Sequence, residues 1–339
     1  CEYAQNPVGV DAIQPQLSWE LESRTRNQKQ SAYHILVAST LAVLEVDKGD
    51  LWDSVHVNSS ESAHVAYAGT PLTSRLRCYW KVRVWDASGN VSDWSPPASW
   101  EMAFLHPADW KARWIGSGSS RETFPPEGFF KSTKEFTNLT QQVTVDGRST
   151  LLRKSFAAEK AIRRAQVYVT GLGYYELSCN GQRVGDRVLA PAKSNYRKWV
   201  LYDTYDLTAQ LREGTNVLGL MLGNGWFNPY KKWWEPYRMQ WFGAKRALVQ
   251  LHIEYADGSS QVIGSDDSWK TAPGPVLASC VFDGETYDAT KELPGWDLPG
   301  ATDAGATLLV WLMIGTATPT MACVLAPPWS DVMVRLLTW

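Results

Sequence analysis

Apolar and polar positions alternate along most of this chain with a period of two, the signature of half-buried strands. In Tyr79-Trp80-Lys81-Val82-Arg83-Val84-Trp85, one face carries Trp80, Val82 and Val84, and the other carries Tyr79, Lys81, Arg83 and Trp85. The first is predicted to be the core face. The same alternation predicts strands over Gln16–Glu22, Ala32–Ala38, Trp100–Phe104 and Ala108–Ile115. Further along it predicts Leu151–Phe156, Ala165–Thr170, Tyr174–Cys179, Leu201–Asp206, Val217–Leu222, Ala247–Tyr255 and Gln261–Ser265. Helical periodicity is confined to Leu41–Lys48 and a turn at Leu207–Leu211 capped by Asp206. Asn180-Gly181 is the strongest hairpin signal, because both residues tolerate positive φ. Asp86–Asn90, Glu213–Asn216 and Ala256–Ser259 carry similar turn chemistry.

Frequent short strands with this little helix predict an all-β protein. Residues 1–108 read as a fibronectin-III-like sandwich, with Trp19 on an early strand and a Tyr/Trp-rich late hairpin. Residues 109–278 read as a jelly-roll-like β-sandwich, with a Gly/Ser/Pro-rich loop insertion near 116–150. After Gly300 the alternation and the charge both fade: between Ala306 and Trp339 only Asp331 and Arg335 are charged. That tail, 305–339, is expected to be aberrant, as after a shift of reading frame near residue 305.

Composition adds one strong feature, 18 Trp in 339 residues. Indole rings fill sandwich cores, and they also offer flat faces to sugar rings. A formal charge of -2 with no basic stripe argues against nucleic acid as a partner. The longest apolar run, Ala306–Gly315, is too short to span a membrane, so no membrane partner is expected. The five cysteines Cys1, Cys78, Cys179, Cys280 and Cys323 are scattered without a CxxC spacing, as buried free thiols would be. Cys1-Glu2-Tyr3 lacks the basic and apolar regions of a signal peptide, and the chain reads as beginning inside a domain. Localisation is left open.

Three stretches resemble glycoside hydrolase family 78, the bacterial α-L-rhamnosidases. The first is Cys1-Glu2-Tyr3 with Asn6–Asp11 and Pro15–Trp19. The second runs from Tyr168 through Leu177, Asn180–Asp186, Leu189–Pro191 and Tyr202–Asp206 to Gly223-Asn224-Gly225-Trp226. The third is Asp283–Asp288. The resemblance covers roughly residues 1–300. It implies the family's N-terminal sandwiches, a linker over 279–304, and a non-catalytic N-terminal portion that packs on a catalytic α/α barrel lying outside this chain. The complete form would hydrolyse terminal α-L-rhamnosyl groups with inversion. A free-standing carbohydrate-binding module and a purely structural sandwich pair are the alternatives.

Glycoside hydrolysis needs two carboxyl groups, about 6.5–9.5 Å apart in an inverting enzyme. Asp203/Asp206, Asp266/Asp267 and Asp283/Glu285 are the pairs this chain could offer, but no catalytic residue is assigned. Sugar contact is expected around Asn180, Asn224, Trp226, Asn228, Trp233, Trp234 and Trp241, where amides and aromatic faces crowd together. Rhamnose-containing glycans are the expected partner. The resemblance also makes calcium a candidate ion near Asn180 and Asn228, since calcium takes carboxylate, amide and backbone oxygens.

Overall fold

The computed structural model describes residues 1–24, 26–117, 147–196, 198–229, 243–281 and 284–301. Trp233, Trp234, Trp241, Asp283, Cys323, most of the 116–150 insertion and the 305–339 tail lie outside the described residues. The chain divides into two compact units, joined between Asp109 and Trp110.

In the first unit, β1 (Gln16–Leu17) pairs antiparallel with β5 (Val65–Ala66). A second sheet is built on β2 (Gln30–Ala38), which pairs with β3 (Trp52–Asp53), β4 (Val57–Asn58) and β6 (Arg77–Asp86). β7 (Ala98–Glu101) completes it beside β6. Leu17, Ile35, Val37, Trp80, Val82 and Trp100 meet in the core between the layers. The predicted helix shortens to α1 (Leu41–Glu45), with Thr40 Oγ1 accepting from Val43 N at 3.3 Å. The predicted strand over 16–22 survives only as β1.

The core face of β6 is the predicted one, but its opposite face is not a plain solvated surface. Ser92 and Ser95 hydroxyls accept from Val84 N and Val82 N, each at 3.1 Å, and hold Trp94 against the strand. Arg83 lies 4.5 Å and Lys81 5.1 Å from the centre of the Trp94 ring. Cation–π contact of this kind lets Lys81 be buried with its charge satisfied by the ring and by Asp47.

Asp11 of the first unit is a half-buried carboxylate. Burial pushes its carboxyl up to about 6, with Glu2 adding to the rise. The folded chain therefore holds the Asp11 proton between the unfolded value near 4 and about 6. The stabilisation from that proton is fully present below the window and is lost as pH rises through it. Asp11→Asn should raise the stability of the unit at pH 7.5 by on the order of 2 kcal/mol and have little effect at pH 4. Urea denaturation at the two pH values reads this directly; equal effects at both would contradict it.

The second unit is a sandwich of two antiparallel sheets. One sheet has the order β11-β10-β13-β8-β16, from β8 (Thr150–Ala158), β10 (Tyr174–Cys179), β11 (Gln182–Arg183), β13 (Gly214–Gly223) and β16 (Lys270–Pro273). The other has the order β12-β9-β14-β15, from β9 (Ile162–Leu172), β12 (Asp203–Asp206), β14 (Arg246–Tyr255) and β15 (Ser260–Gly264). Every second residue points inward, so Leu218, Leu220 and Leu222 of β13 face Val249, Leu251 and Ile253 of β14 across one core. The Asn180-Gly181 turn forms as predicted, a two-residue loop with φ of 52° and 78° between Cys179 and Gln182.

Two corrections concern segments read from pattern alone. Residues 108–115 are not one strand: a 3₁₀ turn at Pro107–Asp109 leads into an irregular segment whose one isolated β-bridge to the sheet is at Ile115. Gln250 Oε1 accepts from Lys111 N and Ala112 N, at 2.5 and 2.9 Å, so a side chain replaces the ladder there. The start of the segment read as a linker, 279–304, overlaps a hairpin of β17 (Val276–Cys280) and β18 (Gly284–Tyr287). β18 is exposed on both faces and so carries no alternation to read.

Candidate functional site

The candidate sugar-contact residues sit at opposite ends of the antiparallel β10–β13 ladder. Asn180 follows Cys179, which pairs with Leu218, whereas Asn224 follows Gly223, which pairs with Tyr174. At roughly 3.3 Å per residue, the ladder separates the two amides by about 20 Å.

At the Asn180 end, the amide is part of the fold. Its Nδ2 donates to Gln210 O at 3.0 Å and Asn216 Oδ1 at 2.9 Å, and its Oδ1 accepts from Val217 N at 2.9 Å. Asn216 is fully buried and joins in turn to Arg212 and Gly214. The polar residue at this inward position of β13, ahead of Leu218, Leu220 and Leu222, was the available signal that a buried network begins there.

At the other end, the turn after β13 is braced from within. Asn228 Oδ1 accepts from Gly225 N at 3.0 Å, and its Nδ2 donates to Leu172 O at 3.2 Å. Asn224 Nδ2 donates to Asn228 O at 3.0 Å, while Asn224 Oδ1 is buried and has no partner among the described residues. Trp226 packs beside Leu172, Tyr196, Val200 and Phe227. Lys193 Nζ lies 4.3 Å from the centre of the Trp226 ring, and the Trp226 indole donates to the Tyr174 hydroxyl. Burial raises the Tyr174 hydroxyl and pushes that of Tyr196 up to about 12.

The calcium expectation meets a poor donor set here. Asn180 and Asn228 lie too far apart to share one ion, and each Oδ1 already accepts a backbone N–H. Among the described residues no three His, Cys, Asp or Glu side chains are grouped to hold a metal. No helix among them is long and apolar enough to cross a membrane.

The candidate acids are also engaged. Asp203 is buried; Oδ2 accepts from the Tyr175 hydroxyl at 2.5 Å and Oδ1 pairs with Arg187. Asp206 caps the following turn through Thr208 N at 2.8 Å. Three residues apart on β12, the two point to opposite faces and cannot converge on one bond. Asp266 closes its own turn by accepting from Ser268 N at 2.9 Å. Glu285 stands exposed on β18.

A strap that the sequence did not reveal crosses the outer face of this sheet. Gly219 of β13 makes room for it: a Cβ there would lie 2.7 Å from Asp297 Cβ and 2.9 Å from Trp296 Cη2. Arg153 donates to Leu298 O at 3.2 Å from the neighbouring strand. Gly219→Ala should dislodge the strap at a cost of about 1–3 kcal/mol. Hydrogen exchange localised to residues 294–299 should rise while the core strands stay protected; unchanged exchange there would show that the strap does not rest on Gly219.

Residues 160–323 match the model of the α-L-rhamnosidase N-terminal domain, and residues 1–106 match that of the Rha78A-like N-terminal immunoglobulin domain. An α-L-rhamnosidase of Formosa agariphila is 40% identical over 296 residues, which is 86% of this chain and 31% of that protein. The solved α-L-rhamnosidase of Dictyoglumus thermophilum superposes with a TM-score of 0.78 at 36% identity, over 92% of this chain and 33% of that one. That of Streptomyces avermitilis, complexed with L-rhamnose, gives 0.81 at 27% identity, over 91% and 44%. The fold and these matches define the class: a succession of rhamnosidase-type N-terminal β-sandwich domains, the first of them of immunoglobulin type. Through these domains the chain matches the N-terminal portion of the α-L-rhamnosidases of glycoside hydrolase family 78. It spans about a third of the length of the curated relatives it matches.

Proposed function

We propose that this chain is the non-catalytic N-terminal portion of an α-L-rhamnosidase, whose complete form hydrolyses terminal α-L-rhamnosyl groups with inversion. In this role the second unit packs on the catalytic domain and passes the chain to it. The observation that carries the reading is the succession of the two matched domains, in order, over a third of the relatives' length. The chain's own acids support it: Asp203, Asp206 and Asp266 hold the fold together, whereas hydrolysis needs carboxyl groups free to face a glycosidic bond and a water. The second reading, a carbohydrate-binding module around Trp226, is favoured by the half-exposed indole but asks Lys193 to leave its face.

The purified chain should release no p-nitrophenol from p-nitrophenyl α-L-rhamnopyranoside above the buffer rate. Turnover that disappears in Glu285→Gln would overturn the non-catalytic assignment.

A further inference from the structure

The chain contains two Asn-Gly pairs, Asn180-Gly181 and Asn224-Gly225. This pairing is the one most prone to deamidation, because no Cβ hinders the glycine nitrogen from reaching the asparagine Cγ. The fold holds the two pairs differently. Asn224 is 3% exposed, and the nitrogen that would attack it, Gly225 N, donates to Asn228 Oδ1 at 3.0 Å. Gly181 is exposed, and no hydrogen bond among the described residues engages its nitrogen. There the restraint falls on the Asn180 amide, which is tied to Gln210 O, Asn216 Oδ1 and Val217 N. Leu298 of the strap rests beside the turn, where a Cβ on Gly181 would strike it.

Those three bonds oppose the reaction. For Gly181 N to attack Asn180 Cγ, the amide must rotate out of its place and give them all up. Local opening of the turn therefore comes first. A bond then forms from Gly181 N to Asn180 Cγ, the Cγ–Nδ2 bond breaks, and ammonia leaves with the proton from Gly181 N. Water opens the resulting succinimide at either carbonyl and leaves an aspartate or an isoaspartate.

The product does not fit the place it came from. Asn180 Nδ2 donates to two acceptors, and a carboxylate oxygen in its position would face both of them, Gln210 O and Asn216 Oδ1. Asn216 cannot relieve this by turning its amide over. Its Oδ1 also accepts from Arg212 N, and its Nδ2 donates to Arg212 O and Gly214 O. An anion set against acceptors is costly in a partly desolvated site.

We infer that Asn180 is a deamidation site latched by the fold: closed while the Asn216 network stands, and unable to close again once it has reacted. The modification needs neither sugar nor catalysis by the chain, so it goes beyond the proposed role and is tested apart from it.

The test is incubation of the whole chain at pH 7.5 and 37 °C, followed by peptide mass mapping and isoaspartate detection. Asn180 should react roughly tenfold or more slowly in the folded chain than in concentrated urea, where the two pairs should react alike. Asn216→Ala should speed the reaction at Asn180 about tenfold and leave Asn224 nearly unchanged. If that variant does not fold, sub-denaturing urea on the natural chain replaces it, and the rate at Asn180 should climb before that at Asn224. Asn180→Asp carries the product's charge and should lower the melting temperature more at pH 7.5 than at pH 4. The acceptors around it favour the protonated carboxyl, whose stabilisation is lost as pH rises. Equal rates at Asn180 in folded and unfolded chain, parallel climbs at the two asparagines, or an Asn180→Asp loss that is the same at both pH values would each overturn the inference.

Discussion

Asn216→Ala should destabilise the second unit by about 3–5 kcal/mol, the range for breaking a buried hydrogen-bond network. Asn216 is fully buried, and all of its hydrogen-bonding capacity is used. Its Oδ1 accepts from Asn180 Nδ2 at 2.9 Å and Arg212 N at 3.0 Å. Its Nδ2 donates to Arg212 O at 2.6 Å and Gly214 O at 3.0 Å. Alanine removes one residue's side chain but orphans partners in three segments: the Asn180-Gly181 hairpin, the Leu207–Arg212 turn and the start of β13. At roughly 2–4 °C per kcal/mol for a unit of this size, the melting temperature should fall by about 6–20 °C. Asn180→Ala should cost less, because Asn180 is only half-buried and water can replace part of what is lost. The double variant should lose less than the sum of the singles, since the two share a hydrogen bond. Additive losses, or a loss under 1 kcal/mol in Asn216→Ala, would show that the network does not hold these loops together.

The same residues show how far the sequence could be read. In the long strands that bury one face, the period of two recovered the element: Tyr174–Cys179 is predicted and observed with identical bounds, and Val217–Leu222 is extended at both ends to Gly214–Gly223. The pattern failed where something other than a ladder satisfies the backbone. Residues 108–115 alternate like a strand, but Gln250 supplies acceptors from a strand far along the chain. β18 does pair with a neighbour, yet with no buried face it left no trace. The strap over Gly219 is rich in Pro and Gly, and its course depends on a missing side chain elsewhere. At the candidate site, the sequence located amides at turns but not their partners. Asn180 and Asn228 read as one region because each lies beside a Gly-containing turn, while strand pairing sets them at opposite ends of a ladder.

Asp203→Ala should be the other severe change, with an expected loss of about 3–5 kcal/mol from breaking a buried ion pair. The carboxylate is 6% exposed, accepts from the Tyr175 hydroxyl and pairs with Arg187. Burial holds the Tyr175 hydroxyl well above the usual tyrosine range, so Tyr175 remains a proton donor and Asp203 the acceptor. Removing the carboxylate leaves a guanidinium without its counter-ion beside the core. Replacing Arg187 as well, as in Asp203→Leu with Arg187→Leu, should recover much of the loss, because the desolvation of two charges is then no longer required. A catalytic carboxylate would behave in the opposite way: Asp203→Ala would leave the melt nearly unchanged, since active-site acids are held at some cost to stability. Urea melts of the single and double variants decide between these outcomes. A double variant as unstable as Asp203→Ala would mean that the carboxylate acts through Tyr175 rather than Arg187. A fully stable Asp203→Ala would return Asp203 to the list of groups free to act on a substrate.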